Sequence, residues 1–138
     1  MKYALVMLSI FGIVVSALAL REHYRTEGDS PCSINERWDC GIVNHSPYAM
    51  LAGVPVAALG MFGYFLMAAI AWRRAYRVVL ALALVGLGFS LYLAHIEKDI
   101  LGVWCIYCVI SLGIISVITL LSLGATLASV RRDPAARV

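Results

Sequence analysis

The sequence predicts an all-α integral membrane protein: a bundle of four transmembrane helices with one long extracytoplasmic loop between the first and the second. Three observations predict it. The 138-residue chain is 62% hydrophobic and only 14% charged, with a mean hydropathy of +0.89; soluble domains are nearer about 45–50% apolar and about 25% charged. A membrane helix needs roughly 20 apolar residues to cross about 30 Å of hydrocarbon, and four runs in the chain meet that need. The basic residues are divided unequally between the segments that join those runs. A chain of this length is a single domain, 1–138, and it shows no internal repeat, low-complexity tract or linker.

The first run, residues 3–20, carries no charge. It also has features of a secretory leader: Lys2 supplies a short basic start, and Ala17-Leu18-Ala19 resembles a small-residue cleavage site. Its length favours a retained helix. The second run, 51–72, is uncharged, and the third, 78–96, carries only His95 near its end. The fourth uncharged stretch reaches from Ile100 to Val130, longer than one span requires, so its helix is placed over about 103–130. Backbone polar groups in lipid must be satisfied within the segment, which makes each run a helix.

Charge then orients the bundle. Lys2, Arg73, Arg74, Arg77, Arg131, Arg132 and Arg137 lie on one side, with Asp133 the only acid. The other side holds Arg21, Arg25, Arg37 and Lys98 against seven acids: Glu22, Glu27, Asp29, Glu36, Asp39, Glu97 and Asp99. Lys and Arg collect on the cytoplasmic side. Both termini are expected in the cytoplasm, in a plasma (inner) membrane, with the loop 21–50 outside. There is no basic stripe with interleaved aromatics, so nucleic acid is not an expected partner.

The four cysteines all fall at or above the outer surface, where disulfides are permitted. Cys32 and Cys40 lie in the polar loop, and Cys105-Ile106-Tyr107-Cys108 opens the last apolar run. Ser30-Pro31 marks a turn before Cys32, and Ser33-x-x-Glu36 matches a capping box for a short helix between the two loop cysteines. Two residues between cysteines put both sulfurs on one helical turn, where unpaired N–H groups and the helix dipole favour a thiolate. Trp104 precedes that motif and no charge is nearer than Asp99, so the site is apolar, at the depth of a quinone ring. Thiolate attack on a disulfide, repeated along a chain, moves two electrons. The pattern suggests a relay between a soluble thiol protein and a lipid-soluble carrier.

Rival readings of the cysteines fit less well. Structural zinc prefers two short Cys-x-x-Cys knuckles. An inert disulfide within one helical turn adds little rigidity. Cysteine behaves as a small hydrophobe, so one buried thiol by chance is common, but four on one membrane face are not. No metal is therefore expected.

Pro55 suits the first turn of the second helix, where its missing N–H has no partner to lose. Ala57, Ala58, Gly60 and Gly63 are small, as helix contacts in membranes prefer. Packing alone accounts for them; the alternative is that they also leave a slot for a flat ligand.

Taken together, Ser-Pro-Cys-x7-Cys, Ser46-Pro47-Tyr48-Ala49, Gly-Val-Pro-Val-Ala-Ala-Leu-Gly and Trp-Cys-Ile-Tyr-Cys resemble the vitamin K epoxide reductase family in its bacterial branch, over roughly residues 5–130. Unrelated quinone-linked disulfide generators place their quinone-side Cys-x-x-Cys in the first outer loop, the reverse of the order here. The resemblance implies a four-helix bundle around a quinone of the menaquinone, ubiquinone or vitamin K type, capped by the loop. It implies that Cys32 and Cys40 are the loop pair, that Cys40 exchanges with Cys105, that Cys108 meets the quinone, and that Ser46 lies near it. His45, beside Ser46, is a candidate donor to a quinone oxygen, and Tyr48, Tyr107 and Ser111 are candidates to line the pocket. His45, His95 and His23 are otherwise read as exposed or interfacial, and an interfacial anchor role suits Tyr107 equally well.

The implied activity is an oxidoreductase that takes electrons from a reduced thioredoxin-like protein and so supports disulfide formation. Many bacterial members carry a thioredoxin-like domain on a fifth helix. Here the chain runs only eight residues past Val130, so the partner is expected to be a separate protein. Vertebrate members have a tyrosine four positions after the motif's second cysteine; Leu112 stands there in this chain. Epoxide reduction is thus an alternative reading, and a membrane scaffold with structural disulfides is an alternative of another class.

Overall fold

The structure, a computed structural model, describes residues 2–24, 50–51, 53–102 and 104–132. Four helices dominate: α1 Lys2–Tyr24, α2 Val56–Trp72, α3 Tyr76–Ile96 and α4 Ile106–Arg132. Two short strands, β1 Met50–Leu51 and β2 Val54–Pro55, precede α2, and a π-helical turn Glu97–Leu101 follows α3. Neighbouring helices pack in a ring, α1 on α2, α2 on α3, α3 on α4 and α4 back on α1. Three stretches, Lys2–Arg21, Tyr76–Leu101 and Ile106–Arg131, are long and apolar enough to cross a membrane. The fourth helix, α2, is apolar but has 17 residues, about 25 Å at 1.5 Å per residue.

The outward surface is as greasy as a bilayer demands. On α1 the exposed residues include Tyr3, Met7, Ile10, Phe11, Val14 and Leu18, which share one face at helical spacing. Phe62 and Phe65 do the same on α2, and Val117, Leu120 and Leu127 on α4. In water such a face would drive aggregation; against lipid tails it costs nothing. The buried core is built from Leu5, Val15, Tyr64, Met67, Ala71, Val79, Ala83, Ile114, Ile115 and Ile118. Hydroxyls on α4 are satisfied locally, with Ser116, Thr119, Ser122 and Thr126 each donating at 2.7–2.8 Å to the carbonyl four residues back. That is how Ser and Thr sit in a lipid-bound helix without orphaned donors.

Close approach of α1 and α2 depends on small residues. A Cβ built on Gly12 would stand 2.5 Å from the Cδ1 and Cε1 atoms of Tyr64, and one on Gly60 would stand 3.0 Å from Ser16 Oγ. The same two helices are pinned at their far ends. Lys2 Nζ lies 4.2 Å from the centroid of the Trp72 ring, and Tyr3 meets Trp72 edge-on at 6.1 Å. A cation over an indole face is worth about 0.5–1 kcal/mol where exposed.

The apolar run that predicts a helix from Leu51 is structured differently at its start. Met50 pairs with Pro55 and Leu51 with Val54 in a small antiparallel hairpin, and α2 begins at Val56. Gly53 at φ 82° supplies the left-handed residue that a two-residue hairpin loop needs. Pro55, at φ −59° and ψ 133°, is thus the cap residue before the helix, not its first helical residue. Between α2 and α3, Arg74 adopts φ 61°. Its N–H donates to Ala71 O at 2.9 Å and that of Ala75 to Ile70 O at 3.3 Å. These two bonds form a Schellman ending, here with arginine in the place glycine usually takes.

Candidate functional site

Cys105 caps the N-terminus of α4. Its carbonyl accepts the Val109 N–H at 3.0 Å, the first bond of the helix, and Cys108 follows in the first turn. Their sulfurs lie within hydrogen-bonding reach of each other. One helical turn accounts for that closeness, and the free N–H groups at a helix start favour negative charge on sulfur. Cys105 is fully buried, packed among Leu101, Ile106, Tyr107 and Cys108.

Cys108 faces a cavity of about 400 Å³ lined by all four helices and the π-helical turn. This volume lies within the roughly 300–1,000 Å³ of small-molecule sites. The walls are mostly apolar: Val15 and Ala19 of α1, Met67 of α2, Leu82 and Phe89 of α3, Ile115 of α4. Ala57, Gly60 and Gly63 of α2 line it as well, and a Cβ on Gly63 would meet nothing within 4 Å. The small residues of α2 therefore do two things: Gly60 lets Ser16 approach, and Gly63 leaves open space.

A few polar groups converge on this cavity. Tyr64 Oη donates to the Ser111 carbonyl at 3.0 Å and lies 2.7 Å from Ser111 Oγ. A phenol has one hydrogen, so the Ser111 hydroxyl donates in the second bond. Tyr107 and Ser90 also line the space.

The remaining polar wall is Glu97, which is only 2% exposed. Its Oε2 accepts the Cys105 N–H at 3.2 Å, its carboxyl is close enough to interact with the Cys108 thiol, and its Oε1 has no hydrogen-bond partner among the described residues. Helical spacing explains the placement: Leu93, Ile96, Glu97 and Leu101 share the face that lines the cavity, while Lys98, Asp99 and Ile100 stay exposed, and Glu97 opens the π-helical turn. Such turns recur at functional sites. Gly102, at φ 69°, closes the turn in the left-handed conformation. His95 sits on the outer side, its Nδ1 2.8 Å from Asp99 Oδ2.

Of the residues singled out from the sequence, the structure brings together Cys108, Ser111 and Tyr107 at one cavity, with Cys105 packed against Tyr107 and Cys108 outside its lining. Cys32, Cys40, His45, Ser46 and Tyr48 lie outside the described residues. Sequence reasoning missed Glu97, read there only as a loop acid, and Tyr64, read as part of an apolar run.

Two neighbouring cysteines at the start of an apolar helix, one of them on a mostly apolar cavity among apolar helices, are an arrangement suited to thiol chemistry in a membrane protein. The chain matches the vitamin K epoxide reductase family over residues 3–123 and belongs to that family. The family consists of membrane oxidoreductases working between thiols or disulfides and quinones. No curated protein matches the chain.

Proposed function

We propose that this protein is a quinone-dependent thiol–disulfide oxidoreductase of four membrane spans. Electrons enter at Cys32 and Cys40 from a separate, reduced thioredoxin-like protein outside the cytoplasm. They pass to Cys105 and Cys108, and from there to a membrane quinone, so that the enzyme supports disulfide formation in a compartment beyond the plasma membrane. The observation that carries this reading is the position of Cys108 on a mostly apolar cavity large enough for a ring.

The quinone supplies a two-electron acceptor. The protein's own groups do the rest. The apolar walls exclude water and hold a flat apolar ring beside the Cys108 sulfur. Ser111 and Tyr64 offer hydroxyls, and turning the Ser111 rotor would aim its hydrogen at a ligand carbonyl at the loss of one bond, about 1 kcal/mol. Closure of the Cys105–Cys108 disulfide releases the electron pair; attack on it by a loop thiol returns the dithiol. The basic charge of Arg73, Arg74, Arg77 and Arg131 supports a reading in which both termini are cytoplasmic and the cysteines lie at the outer face.

Two experiments test the relay. Gly63→Leu adds a side chain to the cavity wall at a position where a Cβ meets nothing within 4 Å. It is expected to raise KM for a short-chain quinone about tenfold, the equivalent of ~1.4 kcal/mol of binding, with helix content unchanged; an unaltered KM places the ring elsewhere. Cys105→Ser should accumulate a mixed disulfide between a loop cysteine and the donor protein, identifiable by mass spectrometry. Recovery of none from cells that express the variant stably counts against a thioredoxin-like donor.

A further inference from the structure

We propose that Glu97 is the proton carrier of this site, the carboxyl that takes protons from the Cys105–Cys108 dithiol and delivers them into the cavity. The inference rests on the quinone reading above and adds a residue to it. Oxidation of the dithiol forms one S–S bond and breaks two S–H bonds, releasing two electrons and two protons. Reduction of a quinone to a quinol consumes both electrons and forms two O–H bonds. The electron pair has a direct path through Cys108. The protons need a group that can hold them in a chamber whose walls are mostly apolar, and general acid–base groups must lie within hydrogen-bond reach of the proton they move.

Glu97 is placed for that. It is all but fully buried, it lines the same cavity as Cys108, and it interacts with the Cys108 thiol. One carboxyl oxygen is committed to the Cys105 N–H. The other has no partner among the described residues, and an unsatisfied buried acceptor of this kind costs about 1–3 kcal/mol. Among the described residues, the other titratable groups on the cavity besides Cys108 are Tyr64, engaged with Ser111, and Tyr107. His95, Lys98 and Asp99 are exposed on the outer side of the same segment.

The steps balance. Glu97 accepts the proton of the Cys108 thiol as that sulfur gives up its electrons, and releases it to an oxygen of the acceptor. Once emptied, it accepts the proton of the Cys105 thiol as the sulfur–sulfur bond closes, and releases that one to the second oxygen. The carboxyl ends as it began.

Glu97→Gln keeps an acceptor for the Cys105 N–H and removes the titrating oxygen, so it separates a proton role from a capping role. The full chain in lipid nanodiscs, supplied with dithiothreitol and ubiquinone-1, is expected to turn over roughly 100-fold more slowly in this variant, within the range of general acid–base effects. Glu97→Asp should recover part of the rate. A second readout needs no quinone. When the Cys105–Cys108 pair is oxidised electrochemically without quinone, no acceptor oxygen takes the proton from the carboxyl, so the infrared difference spectrum should carry a carboxyl C=O band that Glu97→Gln removes. Turnover of Glu97→Gln at the wild-type rate overturns the assignment. So does a wild-type spectrum without the band, a result independent of whether the variant folds. A wild-type chain that reduces no quinone sinks the underlying reading instead, and the band alone then decides for or against Glu97.

Discussion

Cys108→Ala is expected to leave the protein folded and to abolish dithiol-driven quinone reduction. The structural loss is one sulfur atom at a half-buried position on a cavity wall, on the order of 1 kcal/mol, the middle of the range for single substitutions. The chemical loss is of a different kind. A lone Cys105 cannot form the internal disulfide that releases an electron pair, and it is fully buried away from the cavity among Leu101, Ile106 and Tyr107. Because the two thiols act as one unit, Cys105→Ala, Cys108→Ala and the double variant should all fall to the same residual rate, the non-additivity expected of groups that share one step. Quinol formation over a single turnover, followed by its ultraviolet absorbance, reads this directly. If the protein is instead a scaffold held by disulfides, the variants lower its amount and leave the partner pathway running.

The second large effect is expected at Gly12. A side chain there begins inside the Tyr64 ring, because even the Cβ would stand 2.5 Å from two ring carbons. Overpacking of a filled interior costs typically about 1–3 kcal/mol, and Gly12→Leu should lie at or above the top of that range. Displacement of the ring also strains the bonds from Tyr64 to Ser111, each worth about 1 kcal/mol. Intrinsic propensity works the other way, since leucine is a better helix former than glycine by up to about 1 kcal/mol, and it is outweighed. Gly124 is the control: a Cβ there meets nothing within 4 Å, so Gly124→Leu keeps the propensity gain without the clash. Thermal unfolding in detergent should rank Gly124→Leu at or above wild type and Gly12→Leu well below it. Because Tyr64 and Ser111 line the cavity, the surviving fraction of Gly12→Leu should also bind quinone poorly.

Much of this molecule was legible from hydropathy alone. A bilayer admits only segments whose backbone is satisfied internally, so long uncharged runs have little choice of structure. That is why α1, α3 and α4 match their runs to within a few residues. What hydropathy does not encode is where a run stops being helix. Residues 50–55 are apolar, yet Gly53 and Pro55 make them a hairpin, and α2 is shorter than its run. The dithiol was legible because Cys-x-x-Cys at a helix start has a local rationale. Tyr64 was not, because its place depends on Gly12, a residue on another helix. Glu97 was hidden by its neighbours. Flanked by Lys98 and Asp99 it reads as a solvated loop, and only the continuation of the helix past Ile96 puts it on the inward face with Leu93, Ile96 and Leu101. Its distance of eight positions from Cys105 and its place directly after an apolar run were the available signals. Cys32 and Cys40 remain where the sequence set them, as proposed partners of the buried pair.

The account turns on the Cys105–Cys108 dithiol giving its electron pair to a quinone. The direct measurement is an anaerobic single turnover. The pre-reduced, purified chain in nanodiscs is mixed with one equivalent of ubiquinone-1, quenched in acid with an alkylating agent, and analysed for quinol and for disulfide-linked peptides. The account predicts one quinol for each new Cys105–Cys108 disulfide, formed at the same rate. Quinol appearing while both thiols remain alkylatable, or a disulfide forming without quinol, would contradict it.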